Sequence, residues 1–301
     1  MAAIDQSTAS AATPAEAEPT PALTQDVLRS LEGIADPRTR VLISAAVAAA
    51  HDVAREFQVQ PGELLALAQF LTGVGKASDD VRKEFVLLSD VLGLTMVADE
   101  NANTKDRSSL ESSALGPFYR PDSPAVPFGG VLGRLWIDGD PMHVAFKVVD
   151  DEDLPISGAS LDIWLANGDG FYENQDPRQP EMNLRGHVQS SERGEVRFWT
   201  VRPRCYPIPD DGPVGDLLRL AGRHPWRPAH IHIVVNADGF VPVTSALFLA
   251  GDPYLDSDAV FAVKNSLIVQ CHPTTETPPD GSLDGAKWAI AHRIVLSKPY
   301  A

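Results

Sequence analysis

The stretch Arg227-Pro228-Ala229-His230-Ile231-His232-Ile233-Val234-Val235 governs the reading of this chain. Its β-branched run marks a strand, and Pro228 suits a strand's first position, where a missing N–H does little harm. Strand side chains alternate with period two, so His230 and His232 lie on one face. At about 6.6–7 Å between alternate residues, two imidazoles can converge on a single metal ion. Two histidines do not name that metal. Residues 144–149, 160–165, 195–201 and 243–249 repeat the strand signature, and most of the chain's Pro and Gly falls between them as turns require. Helical patterns are few there, which disfavours a parallel βαβ sheet and points to an antiparallel β-sandwich.

Upstream the character is different. Residues 1–22 are a low-complexity run of Ala, Pro, Thr and Glu that reads as a disordered tail. From Thr24, placed to cap a first helix, the pattern is helical. Residues 41–57 are Ala-rich, Pro61 opens another helix, and Asp80 opens one carrying Val81, Phe85, Leu88, Leu92 and Met96 at helical spacing. A polar stretch over 99–113 ends the run. The expected organisation is thus a tail (1–22), a helical domain (23–105) and a β-sandwich catalytic domain (106–301), a mainly β protein with an α-helical N-terminal domain.

The net charge of −16 over 301 residues argues against nucleic acid or an anionic membrane surface as partner. No apolar run approaches the roughly 18 residues of a membrane span, and no basic-then-apolar leader opens the chain. Cys205 and Cys271 allow at most one disulfide. These features set the expectation of a cytoplasmic enzyme without membrane insertion.

Two tyrosines sit in unusual turn settings. Asn167-Gly168-Asp169-Gly170-Phe171-Tyr172 leaves a strand through a glycine-rich turn, and Tyr206 lies in Arg204-Cys205-Tyr206-Pro207-Ile208-Pro209, stiffened by two prolines. Taken singly, each tyrosine has a packing explanation; their joint occurrence with the histidine pair points to a site.

With these pieces, the chain resembles the intradiol ring-cleavage dioxygenases, and within them the hydroxyquinol 1,2-dioxygenases. The motifs are Leu115-Gly116-Pro117-Phe118-Tyr119, Asp162-Ile163-Trp164-Leu165-Ala166-Asn167, the run from Tyr206 to Gly215, Gly222-Arg223-His224-Pro225-Trp226 leading into the histidine strand, and Gly251-Asp252-Pro253-Tyr254-Leu255-Asp256-Ser257-Asp258. The resemblance implies one non-haem Fe(III) per subunit, held by Tyr172, Tyr206, His230 and His232. Phenolate and imidazole donors without thiolates suit such an ion, and two anionic phenolates favour ferric over ferrous iron. It implies that an aromatic diol chelates the iron and reacts with O2. Tyr206 would be the displaceable ligand and a proton acceptor, and Arg227 would stabilise the carbanionic ring. Leu87 and Asp90 match pocket positions, Asp90 as acceptor for a third ring hydroxyl. Leu115, Gly116, Pro117, Phe118, Ile208, Pro209 and Val260 would wall the ring. The resemblance also implies a homodimer built through the N-terminal helices, with a phospholipid bound at the interface.

The expected reaction is cleavage of hydroxyquinol to 3-hydroxy-cis,cis-muconate, which tautomerises to maleylacetate; catechol or chlorocatechol is the alternative substrate. Ala246, where many catechol-cleaving relatives carry glutamine, weakens the plain-catechol reading. From another class, a non-catalytic sandwich that binds an aromatic ligand or a protein partner would be colourless and iron-free. His224 reads as structural, and Asp252, Asp256 and Asp258 as a solvated turn lacking the spacing of a calcium loop.

Overall fold

A computed structural model of the chain describes residues 20–79, 82–102, 109–133, 139–277 and 287–299. It divides into a compact unit ending at Gln69 and another beginning at Phe70. The first contains α1 (Ala22–Ser30) and α2 (Pro37–Glu56), and α3 (Pro61–Ala77) begins in it. Asp36 caps α2 by accepting from the Thr39 N–H, with Pro37 at the first helical position. Thr24 is not the expected cap. It lies inside α1, buried, with its hydroxyl 2.9 Å from His51 Nδ1 and accepting from Arg55, so it ties α1 to α2. Helix α2 buries none of its residues. Leu42 and Val53 of α2, and Leu64, Leu65 and Leu67 of α3, are each more than half exposed.

The second unit takes in the rest of α3 and continues with α4 (Glu84–Val91) and α5 (Leu94–Ala102). A single helix was expected here. Gly93, at φ +74°, takes the left-handed conformation that ends α4, so the apolar spacing continues across a break. The expected start at Asp80 lies outside the described residues.

Eleven strands follow among the described residues, with one further α-helix, α6 (Pro213–Leu220). They are β1 (Pro141–Val149), β2 (Ser160–Leu165), β3 (Arg185–Gln189), β4 (Glu195–Val201), β5 (Tyr206–Pro207), β6 (Trp226–Arg227), β7 (His230–Asn236), β8 (Val243–Leu249), β9 (Ile268–Val269), β10 (His272–Pro273) and β11 (Trp288–Val295). One sheet has the order β10-β11-β1-β4, a second β3-β2-β7-β8-β9, and β5 pairs with β6 alone. The expected antiparallel pairing holds for most neighbours, but β1/β11 and β8/β9 are parallel, so both larger sheets are mixed. Hydrophobic alternation reports which face of a strand is buried. It carries no information on the direction of a partner that arrives from far along the chain.

Alternation does place the site. On β2 and β7, Leu161, Ile163, Ile231, Ile233 and Val235 enter a core shared with Val144, Phe146, Phe198 and Ile294 of the other sheet. Trp164, His230 and His232 occupy the intervening positions and point away from that core, where Trp164 joins a small separate cluster with Ala166, Tyr172 and Tyr206.

Candidate metal centre

The strand β7 sets His230 and His232 side by side, their Nε2 atoms 3.0 Å apart. His230 Nδ1 lies 2.7 Å from the Pro228 carbonyl, which can only accept, so Nδ1 carries the proton and Nε2 presents its lone pair. His232 is held by Trp164, its register partner on β2, whose indole stacks on the imidazole at 4.7 Å and 5°. Ala246 lies opposite His232 on β8.

Each tyrosine arrives on a loop fixed by its own sequence. Asn167 Oδ1 accepts from the N–H groups of Asp169 (3.0 Å) and Phe171 (2.9 Å), an Asx-type turn that delivers Tyr172. Gly170 within it has φ +86°, and a Cβ there would lie 3.0 Å from the Cys205 carbonyl and 3.1 Å from Tyr206 Cβ. Only glycine lets the two tyrosine loops meet this closely. Tyr206 is anchored by pairing with Arg227 across β5 and β6. Tyr172 Oη is 3.5 Å from His230 Nε2, and the Tyr206 ring centroid lies 5.4 Å from that of Tyr172 and 5.6 Å from that of His230. All four side chains are buried.

Burial, then the Arg227 charge, pushes the His230 pKa down to about 3. Burial, then His230, holds His232 well below the ordinary histidine value. Burial and the neighbouring Tyr206 hold the Tyr172 phenol far above its usual range. Two imidazoles kept neutral are ready ligands, and a buried phenol needs a cation before it ionises. The 3.0 Å spacing of the imidazole nitrogens also suits two adjacent donors on one ion, since bonds of about 2.1 Å at right angles separate them by about 3 Å. The donor set therefore fits a hard or borderline ion of high charge.

Arg227 is also buried in this cluster. Its Nη1 lies 3.3 Å from His230 Nε2, while Nε and Nη2 donate to Asp258 at 3.1 and 3.4 Å. Burial by itself would lower the arginine pKa, but Asp258 and the tyrosines outweigh it and keep the guanidinium charged. Asp258 also accepts from the N–H groups of Val260 and Ala262. The expected solvated turn is thus corrected: Asp258 is a buried counter-ion, and Asp252 accepts from the Ala229 N–H at the start of β7. Asp256 makes no comparable contact to the site. Cys205 and Cys271 are both free thiols.

Among the expected wall residues, a Cβ on Gly116 would lie 3.7 Å from His232 Nε2, and the Phe118 ring stacks on Tyr172 at 4.6 Å. Leu115 and Pro117 flank Gly116 and are exposed, whereas Ile208, two residues beyond Tyr206, is buried and Pro209 half-buried. Leu87 and Asp90 are buried on α4. Asp90 accepts from Thr95 at 2.6 Å, and burial raises its pKa against the opposing pull of Thr95 and Arg227. Arg223 donates to the Val91 carbonyl on α4 and to the Ala259 carbonyl, so the Leu87–Asp90 and Val260 segments are tied together.

Four neighbours of the cluster escaped the sequence reading as site residues. Trp164 and Asp258 stood inside motifs already singled out. Glu173 and Arg185 had no local signal, since only the fold brings them beside Tyr172.

Residues 36–109 match the family model described as "Catechol dioxygenase N terminus", and residues 137–295 that described as "Dioxygenase". A hydroxyquinol 1,2-dioxygenase from a Rhizobium species is 37% identical over 280 residues, covering 91% of this chain and 94% of that protein. A catechol 1,2-dioxygenase from Candida albicans is 41% identical over 251 residues, covering 82% of this chain and 83% of that protein. The crystal structure of a hydroxyquinol 1,2-dioxygenase from Pseudomonas putida superposes with a TM-score of 0.85 at 36% identity, covering 92% of this chain and 98% of that one.

Proposed function

The chain belongs to the intradiol ring-cleavage dioxygenases, and from that membership we propose that it cleaves hydroxyquinol (1,2,4-trihydroxybenzene) between its adjacent hydroxyls with incorporation of both atoms of O2. The product is 3-hydroxy-cis,cis-muconate, which tautomerises to maleylacetate. The observation that carries this reading is the buried convergence of His230, His232, Tyr172 and Tyr206 beside the charged Arg227.

Those four side chains would hold one Fe(III) per subunit. Bound ferric iron supplies Lewis acidity that polarises the diol and readies its ring for O2. Phe118, Gly116 and Ile208, with Leu87 and Val260, would wall the ring of the diol, and Leu115, Pro117 and Pro209 would complete the rim. Tyr206 accepts a substrate hydroxyl proton at Oη. Arg227, fixed by Asp258, places a permanent positive charge where the ring becomes carbanionic, an interaction of about 1.5–3 kcal/mol for one charged hydrogen bond. Asp90, facing the same arginine from α4, accepts the hydrogen bond of the third hydroxyl and so separates hydroxyquinol from catechol.

Asp90 gives the test of substrate. Oxygen uptake by the ferric protein is expected to favour hydroxyquinol over catechol and chlorocatechols. Asp90→Ala should lower kcat/KM for hydroxyquinol by about tenfold to a hundredfold, the worth of one hydrogen bond to a charged group, and leave catechol nearly unaffected. Equal losses on both diols would remove Asp90 from recognition, and a clear catechol preference in the unaltered protein would replace hydroxyquinol with the alternative substrate.

The two mixed sheets that share one core form a sandwich in this reading. The exposed apolar residues of α2 and α3 are what a homodimer through the N-terminal helices would cover, with a phospholipid in the same interface. No described helix is long and apolar enough to cross a membrane, and a cytoplasmic location is part of the proposal.

A further inference from the structure

Beyond the four donors, one buried charged group touches the cluster and has no part in the mechanism above. Arg185 opens β3 directly opposite Trp164, and Trp164 lies opposite His232, so Arg185, Trp164 and His232 form a row across three strands. Arg185 is fully buried. Its Nε donates to Glu173 Oε2 at 2.7 Å, its Nη1 donates to the Phe118 carbonyl, and its guanidinium carbon lies 6.0 Å from the centre of the Tyr172 ring. Glu173 is the residue after Tyr172, and the Phe118 ring stacks on Tyr172. One guanidinium therefore grips the chain on the C-terminal side of the tyrosine and the segment whose ring covers its face.

The clamp belongs to a chain of ion pairs. Glu173 Oε1 also accepts from Arg120 Nη1 at 2.8 Å, so two cations share one buried carboxylate. The second carboxylate on Arg120, Glu181, is 78% exposed and screened by water. Arg120 is itself one-third exposed, so the desolvated cation beside the Tyr172 ring is Arg185, whose charge acts strongly there and is opposed by that of Glu173. Fold stability does not account for such a pair, because apolar residues of similar size usually serve as well.

We infer that Arg185, clamped by Glu173 and backed by Arg120, is a positioning residue that fixes the Tyr172 ring and tunes how readily its phenolate gives up electron density. The inference rests on the proposed role of Tyr172 as an iron ligand. A positive charge beside the ring makes its electrons harder to remove, which raises the energy of phenolate-to-iron charge transfer. Removing the charge lowers that energy, and removing the carboxylate raises it.

The experiment is the visible spectrum of the ferric protein, normalised to iron per chain. Arg185→Gln should move the charge-transfer band to longer wavelength, Glu173→Gln to shorter wavelength, and Arg185→Lys should restore the original position. Arg120→Met, at a half-exposed site that folding tolerates, should give a smaller shift to longer wavelength. It decides the matter alone if the buried variants do not fold. A merely structural role would lower iron content or band intensity without opposed shifts. Bands that stay in place, or shifts of one sign in Arg185→Gln and Glu173→Gln, overturn the inference and leave the iron reading intact. An unaltered protein that shows no band after ferric loading overturns both.

Discussion

His232→Ala is expected to leave a folded chain that retains little ferric iron and turns over at least about a thousandfold more slowly. The magnitude follows from the chemistry at stake. Lewis-acid stabilisation by a bound ion is worth several kcal/mol, and each 1.4 kcal/mol or so is a factor of ten in rate. The fold should survive because His232 projects from the face of β7 opposite the main core, where Ile231 and Ile233 pack. Its loss removes one of two imidazole nitrogens held 3.0 Å apart and the ring on which Trp164 stacks. Iron per chain by elemental analysis, with oxygen uptake on hydroxyquinol, checks it. Full iron content and normal turnover in a folded variant would show that His232 is a packing residue.

The second large effect lies at Asp258. The Val260 and Ala262 N–H groups bond to different oxygens of Asp258, so Asp258→Asn keeps an acceptor for only one of them and removes the counter-charge of a buried arginine. Breaking a buried ion pair from one side costs about 3–5 kcal/mol, because the remaining charge is stranded. At about 2–4 °C per kcal/mol for a unit of this size, the midpoint of thermal unfolding should fall by about 10 °C. Activity should fall too, since Arg227 loses its anchor beside His230. The double variant Arg227→Gln with Asp258→Asn separates the two effects: most of the stability should return and the activity should not. A double variant with normal turnover would take Arg227 out of the chemistry.

Much of this arrangement was legible in the sequence because its signals are local. The alternation of β7 placed His230 and His232 on one face, and the glycine- and proline-shaped turns drew attention to Tyr172 and Tyr206. The strands at 144–149, 160–165, 195–201 and 243–249 were visible from their β-branched runs and lie within or coincide with β1, β2, β4 and β8. Strand β3 was missed because Arg185-Gly186-His187-Val188-Gln189 lacks a β-branched run, its arginine being buried by pairing with Glu173. The break at Gly93 was hidden by apolar spacing that continues through it. The parallel pairing of β1 with β11 joins residues about 150 positions apart, beyond anything periodicity encodes. Asp258 was misjudged for a physical reason: an aspartate in a turn is normally solvated, and only an arginine from a distant strand makes its burial favourable.

One experiment tests most directly whether two tyrosines and two histidines hold ferric iron and whether the diol binds to it. The measurement is an anaerobic visible spectrum of the purified ferric protein, before and after hydroxyquinol and then, separately, catechol. A broad tyrosinate-to-iron band is expected, one that shifts on adding hydroxyquinol and shifts less at the same concentration of catechol. A colourless protein that stays silent after ferric reconstitution would contradict it and leave a two-unit binding protein in place of the enzyme.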